Sequence, residues 1–277
     1  MPFSTAAFGN PSVLAHSCSL PTGFVTDNTD CDDTNGAIHI NCILSLTAKV
    51  FIQGPYNTNT GLMNDGLRSN GKIPTNQPYN TMVFNGSTAY TGTETVVQSV
   101  LDATGNNAIV DWVLIELRAA ASPSNVPTNG RRAALLQRDG DIVDVNGTSE
   151  VSFPNLASGT YHVIIRHRLC LATRTNTAVN FSSGSSTSVN FTNNSNALSG
   201  SQKLLTTGVY GLYIGDTDRS GLITSGDASR VRERNPTTIP YFSYTFGYDL
   251  DFSSTIFATD ASIVRGNLAA SQVNLNQ

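Results

Sequence analysis

The sequence predicts a mainly β protein, an antiparallel β-sandwich followed by a small α unit, and three observations carry that expectation. Asp139-Gly140 and Asn146-Gly147 punctuate a run of short apolar segments, the dipeptides that two-residue hairpin turns favour. Residues 44–54 (LSLTAKVFIQG) set Leu44, Leu46, Ala48, Val50 and Ile52 on one face with a period of two. Sliding the chain by 33 residues aligns DTDRSGLITSGDASRVR with DLDFSSTIFATDASIVR, and nine of the seventeen positions coincide. About one or two matches would arise by chance, so the C-terminal quarter is an internal duplication.

Composition agrees with a β protein of the extracellular kind. Of 277 residues, 39% are hydrophobic and only 13% charged, with Ser, Thr, Asn and Gly abundant. A net charge of -4 leaves no basic footprint for nucleic acid. No run reaches the length of a transmembrane span, and residues 1–20 lack the basic start and apolar block of a signal peptide. The chain therefore reads as soluble and secreted to the cell surface or beyond, its export signal removed or outside a fragment.

In chain order, residues 1–43 form an arm with an acidic, cysteine-bearing segment, 44–206 the sandwich, and 207–277 the duplicated unit. After the strand in 44–54, a Gly/Pro/Asn-rich stretch to residue 80 reads as a long loop. Residues 109–118 (IVDWVLIELR) are β-branched and apolar on both faces, which predicts a central strand with Trp112 in the core. AALLQR, DIVDV and TSEVSF, joined by the two turns, predict a three-stranded meander over 133–153. A turn at Ser158-Gly159 launches another strand, and two more are expected around SSGSS in 177–192. The polar stretch 172–207 reads as a hairpin plus linker. NLASGTYHV resembles a turn of transthyretin-like and collagen-adhesin-type sandwiches, which implies a transthyretin/immunoglobulin-like architecture.

The repeat carries the candidate chemistry. Calcium takes six to eight oxygens, and a loop offering them at positions 1, 3, 5, 7, 9 and 12 wraps the ion. In the first copy these are Asp216, Asp218, Ser220, the carbonyl of Leu222, Thr224 or a water it holds, and Asp227, with Gly221 at the sharp turn and Ile223 as the apolar anchor. In the second they are Asp249, Asp251, Ser253, Thr255 through its carbonyl, and Asp260, with Ile256 as anchor. Ser254 replaces the glycine, so the second site is expected to be the weaker or the more reshaped.

Two loops that each end in Asp and each lead into one helix resemble a dockerin, the calcium-dependent, EF-hand-like module that binds cohesins; the similarity spans residues 215–277. It implies folding on calcium and a protein partner. KVFIQGPYNTNTGLMNDGLRSNGKIP, GNNAIVDWVLIELR and ALLQRDGDIVDVNG resemble blocks of a C-terminal module of secreted and surface proteins of Bacteroidetes, which implies export. DNTDCDDTNGAIH is similar to thrombospondin-type acidic calcium repeats, with Asp27, Asp30, Asp32, Asp33 and Asn35 as ligands; a solvated acidic turn is the alternative.

Cys18, Cys31, Cys42 and Cys170 allow three full pairings, and one short disulfide among the first three is expected in an oxidising compartment, with Cys170 a buried thiol. Catalytic signatures such as GxSxG, HExxH or a P-loop do not occur, and no enzymatic activity is expected. His162 and His167 fall on opposite faces of a strand, and Asp139 and Asp141 sit where a turn wants Asp. The aromatic stripe Phe242, Tyr244, Phe246 and Tyr248 is expected to pack rather than to bind. The reading is a non-catalytic, calcium-stabilised structural or adhesive surface protein, with self-association into a filament as its bolder form. A binding module for a cohesin-type protein or a glycan is the alternative.

Overall fold

A computed structural model describes residues 2–4, 14–16, 43–85, 89–234 and 247–275. The acidic segment with Asp27, Asp30, Asp32, Asp33 and Asn35, the cysteines Cys18, Cys31 and Cys42, and the aromatic residues Phe242, Tyr244 and Phe246 lie outside the described residues.

The protein is mainly β. Strand β1 (Ile43–Lys49) buries Leu44, Leu46 and Ala48 as its period of two requires, and Val50 and Ile52 continue the same face. Strand β2 (Ile109–Ala119) is buried along nearly all its length, with Trp112 in the core and its ring nitrogen donating to the Pro74 carbonyl at 2.9 Å. It pairs antiparallel with β3 (Arg131–Gln137), which turns through Asp139-Gly140 into β4 (Asp141–Val143). Gly140 takes the left-handed conformation that this turn demands, at φ 90°.

The expected meander stops there. Strand β5 (Val151–Pro154) does not pair with β4; both run antiparallel to β1, β4 against Ala48 and Lys49 and β5 against 43–46. Residues 141–154 are thus one strand interrupted by the 144–150 excursion, and Asn146-Gly147 shapes that excursion rather than a hairpin. Asp144 closes its base, accepting from the Ser152 hydroxyl at 2.8 Å and from the Val145 amide at 2.7 Å.

Strand β6 (Gly159–Arg166) pairs with the other edge of β2 and carries β7 (Thr173–Arg174) and β8 (Val179–Phe181) on its far side. The strand after SSGSS, β9 (Ser186–Asn190), does not pair back on β8. It joins β1 in parallel, at the opposite end of the strand order. Four residues, 182–185, make that crossing, and they reach at most about 14 Å. A flat seven-strand sheet would separate its edges by about 29 Å, so the sheet folds over on itself into a sandwich. The Thr187 hydroxyl, donating to the Asn180 carbonyl at 3.0 Å, ties the two edges.

A hairpin of β10 (Gln202–Thr206) and β11 (Val209–Leu212) leads to the duplicated unit, whose helices are α1 (Ser225–Glu233) and α2 (Ala258–Arg265). One apolar cluster runs through sandwich and unit alike, joining Leu46, Trp112 and Val163 to Ile223, Val231, Leu250, Phe252 and Val264. Residues 54–80, expected as a loop, hold a two-residue strand pair and a single helical turn at Gly66–Ser69.

Candidate metal centre

Each repeat folds its acidic residues together for reasons local to the loop. Asp216 accepts from the amides of Ser220 at 3.0 Å and Gly221 at 2.9 Å, and Asp249 accepts from Ser253 at 3.0 Å and Ser254 at 2.6 Å. The last carboxylate returns from the helix. Asp227 accepts from the amides of Thr217 at 3.0 Å and Thr224 at 2.9 Å, while Asp260 accepts from Leu250 at 2.7 Å and Phe257 at 2.8 Å. The same four backbone-amide bonds recur at matching positions of the two copies.

The backbone repeats as well. Arg219 and Phe252 are left-handed at φ 60° and 58°, and Gly221 and Ser254 at 82° and 71°. Ser254 therefore takes the strained position expected of it, and its hydroxyl offsets part of the strain by donating to the Gly66 carbonyl at 2.7 Å.

In each loop three carboxylates can bring one oxygen apiece within 4.8 Å of the others: Asp216, Asp218 and Asp227, then Asp249, Asp251 and Asp260. Ser220 Oγ lies 3.2 Å from the Leu222 carbonyl and Ser253 Oγ 3.1 Å from that of Thr255, so hydroxyl and carbonyl oxygens converge too. A donor set of oxygen alone, three of them anionic, fits a hard divalent cation. The Thr224 hydroxyl borders the first cluster, donating to Asp227 Oδ2 at 2.9 Å while it accepts from the Gly226 amide at 3.1 Å and caps α1. At the matching place Phe257 offers no side-chain oxygen.

Burial makes the clusters electrostatically uncomfortable. Asp216, Asp227, Asp249 and Asp260 are all at most 3% exposed. Burial pushes the Asp216 carboxyl up to about 7, with Asp218 and Asp227 adding to the effect. It pushes Asp249 up to about 8, with Asp251 and Asp260 adding, and it raises Asp260 as well. A bound dication would remove this cost.

The sandwich seats both loops. The Gly215 and Asp216 amides donate to the Leu169 carbonyl, and the first loop's Arg219 carbonyl accepts from the Asn85 amide at 3.1 Å. The second loop lies on residues 54–66, where the Asn64 amide nitrogen donates to the Asp251 carbonyl at 3.2 Å. Backbone meets backbone so closely there that a Cβ on Gly54 would sit 1.7 Å from the Leu250 carbonyl oxygen. Gly54→Ala is expected to cost about 1–3 kcal/mol or more and to lower Tm by roughly 2–12 °C. A melting midpoint within about 1 °C of wild type would show that the second loop does not dock this way.

Between the loops lies a buried polar cluster that the sequence did not reveal. His167 Nε2 donates to Asp111 Oδ2 at 3.0 Å, and Arg168 Nε donates to the same oxygen at 3.0 Å. Burial lowers the His167 imidazole, so the neutral ring keeps its proton on Nε2 while Nδ1 faces the Leu169 amide at 3.3 Å and Cys170 Sγ at 3.2 Å. Cys, His and Asp are thus in line as in a thiol nucleophile. Here, however, burial raises the Cys170 thiol well above its usual value, and all three side chains are sealed in the core. Phe252 of the second loop packs on His167 with ring centroids 5.6 Å apart, and Arg168 lies 5.8 Å from the centre of the Phe252 ring.

His162 makes separate contacts, its Nδ1 lying 3.0 Å from the Thr175 carbonyl. Asp139 accepts from the Asp141 amide at 3.2 Å and Asp141 pairs with Lys49 at 2.8 Å, so both carboxylates serve the turn and its edge. Tyr248 is buried, with the Arg234 guanidinium 4.6 Å from its ring centre. A cavity of about 1080 Å³ opens between residues 89–95 and 124–132, with Tyr90 donating to the buried carboxylate of Glu94 on its wall.

A mainly β scaffold with a tandem of acidic loop–helix repeats is the class that fold and site define. No protein-family model matches the chain, and no curated protein matches it. Two solved structures it resembles are type II cohesin–X–dockerin complexes from Acetivibrio cellulolyticus. An N-terminal interface mutant matches at 14% identity and a TM-score of 0.35 over 58% of this chain and 82% of that chain. A C-terminal interface mutant matches at 15% identity and a TM-score of 0.33 over the same shares. Among the described residues no helix is long and apolar enough to cross a membrane.

Proposed function

We propose that the chain is a non-catalytic, extracellular binding module whose residues 207–277 fold on two calcium ions and whose residues 44–206 are the scaffold that positions them. The observation that carries this reading is the pair of carboxylate clusters, alike in hydrogen bonding and backbone turn and each seated on the sandwich. Calcium would be held by Asp216, Asp218, Ser220, the Leu222 carbonyl and Asp227 in one loop, and by Asp249, Asp251, Ser253, the Thr255 carbonyl and Asp260 in the other. The ion supplies the positive charge that the buried carboxylates lack and locks each loop to its helix.

A protein is the partner that this unit suits. Leu222, Phe257 and Leu268 leave between 42% and 48% of their surface in water, and all three lie within residues 207–277. Apolar side chains presented from a rigid frame are what a protein interface uses as anchors. The filament form of the reading draws on the N-terminal arm, of which residues 2–4 and 14–16 alone are described.

Calorimetric titration of the metal-stripped chain is expected to show two calcium ions per molecule and a rise in Tm on loading. Asp216→Asn combined with Asp249→Asn is expected to abolish both. A chain that takes up no calcium, or takes it up unchanged in the double variant, would sink the reading.

A further inference from the structure

The two loops match at every acidic position and differ sharply at one place on the helix. Arg230, on α1, turns back over its own loop: its Nη1 lies 2.8 Å from Asp218 Oδ2 and 3.4 Å from Asp227 Oδ1. The residue 33 positions on is Ile263, which packs against the core, and among the described residues no basic group lies within ion-pair distance of Asp251 or Asp260.

We propose that Arg230 is a resident counter-ion of the first loop, which weakens calcium binding there and makes the two sites fill in order, the second copy first. The inference rests on the calcium reading above. Two of the three first-loop carboxylates already share a cation, whereas their counterparts in the second loop do not. Calcium entering the first loop either displaces the guanidinium from both carboxylates or binds beside a like charge, and each alternative costs affinity. The guanidinium is 41% exposed, so solvent screens the pair and the cost is moderate, roughly two- to fivefold in binding constant. This opposes the ranking that Ser254 suggests. The strain at Ser254 is present whether or not calcium is bound, whereas the Arg230 pair competes with the ion itself.

The Gly221 and Ser254 amides donate to the first aspartate of their own loops, so their backbone resonances report the two sites separately. Calcium titration of the full-length, isotope-labelled chain is expected to complete the Ser254 response at lower calcium than the Gly221 response. Arg230→Gln is expected to lower the Gly221 midpoint roughly two- to fivefold and to leave the Ser254 midpoint in place. Arg230→Lys keeps the charge and is expected to stay near wild type. Thermal melts of the stripped variants verify folding. Three results would overturn the inference: Gly221 responding first in wild type, an unchanged Gly221 midpoint in Arg230→Gln, or equal shifts in the Gln and Lys variants. Amides that respond to calcium equally in every variant refute Arg230's role alone, whereas amides that ignore calcium in all of them remove the calcium reading and this inference together.

Discussion

Asp111→Ala is expected to lower Tm by roughly 6–20 °C, the equivalent of the about 3–5 kcal/mol lost when a buried ion pair is broken from one side. Asp111 is fully buried, and its Oδ2 accepts from both Arg168 Nε and His167 Nε2 while Oδ1 accepts from the Trp112 amide at 2.7 Å. Alanine removes all three acceptor bonds and leaves a guanidinium in the core short of its carboxylate. The effect should not stay in the sandwich. His167 and Arg168 carry Phe252 of the second loop, and the neighbouring Leu169 carbonyl receives the Gly215 and Asp216 amides of the first. Calcium affinity is therefore expected to fall at both sites, although Asp111 belongs to neither. Asp111→Asn keeps the shape and one acceptor oxygen, and should fall between the two. Thermal melts with a calcium titration check this, and a variant that melts lower yet binds calcium as wild type does would show that the cluster supports the core alone.

The same neighbourhood shows what the sequence could and could not disclose. The clusters of acidic residues were legible because their carboxylates are close together in the chain, and a duplicated register is improbable without a cause. Asp111, His167 and Arg168 left none, since 56 residues separate the carboxylate from the imidazole and only the pairing of β2 with β6 brings them together. Arg230 was visible as a letter yet not as a counter-ion, because its reach back to Asp218 depends on the turn between loop and helix. Strand identity was likewise local and readable, whereas strand pairing was not. Asn146-Gly147 looked like a hairpin turn, and only the competition of β4 and β5 for the same edge of β1 shows otherwise. SSGSS looked like another, although its few residues close the sandwich. Residues 54–66 read as loop because they present bare backbone to the second acidic loop, and a glycine that makes room looks in sequence like a glycine that merely bends.

The metal-stripped protein is expected to lose stability relative to the calcium-loaded protein as pH rises from about 5 to about 8. The sign follows from burial. Asp216 and Asp249 titrate in the folded chain at about 7 and about 8, against about 3.8 when free. Between those limits the folded state holds protons that the unfolded state has already released, so raising the pH favours unfolding until both folded carboxyls have ionised. Calcium reverses the balance by stabilising the ionised form, and loading then expels protons in that window. Its stabilising effect should accordingly be small near pH 5, where protons compete for the same oxygens, and grow towards pH 8. Melting curves of stripped and loaded protein at pH 5, 6, 7 and 8 test this, with Asp216→Asn plus Asp249→Asn as the variant in which the calcium effect, and with it the difference between the two curves, should vanish. A stripped protein whose stability relative to the loaded form stayed unchanged over this range would mean that the two carboxyls are already ionised at pH 5 without a metal.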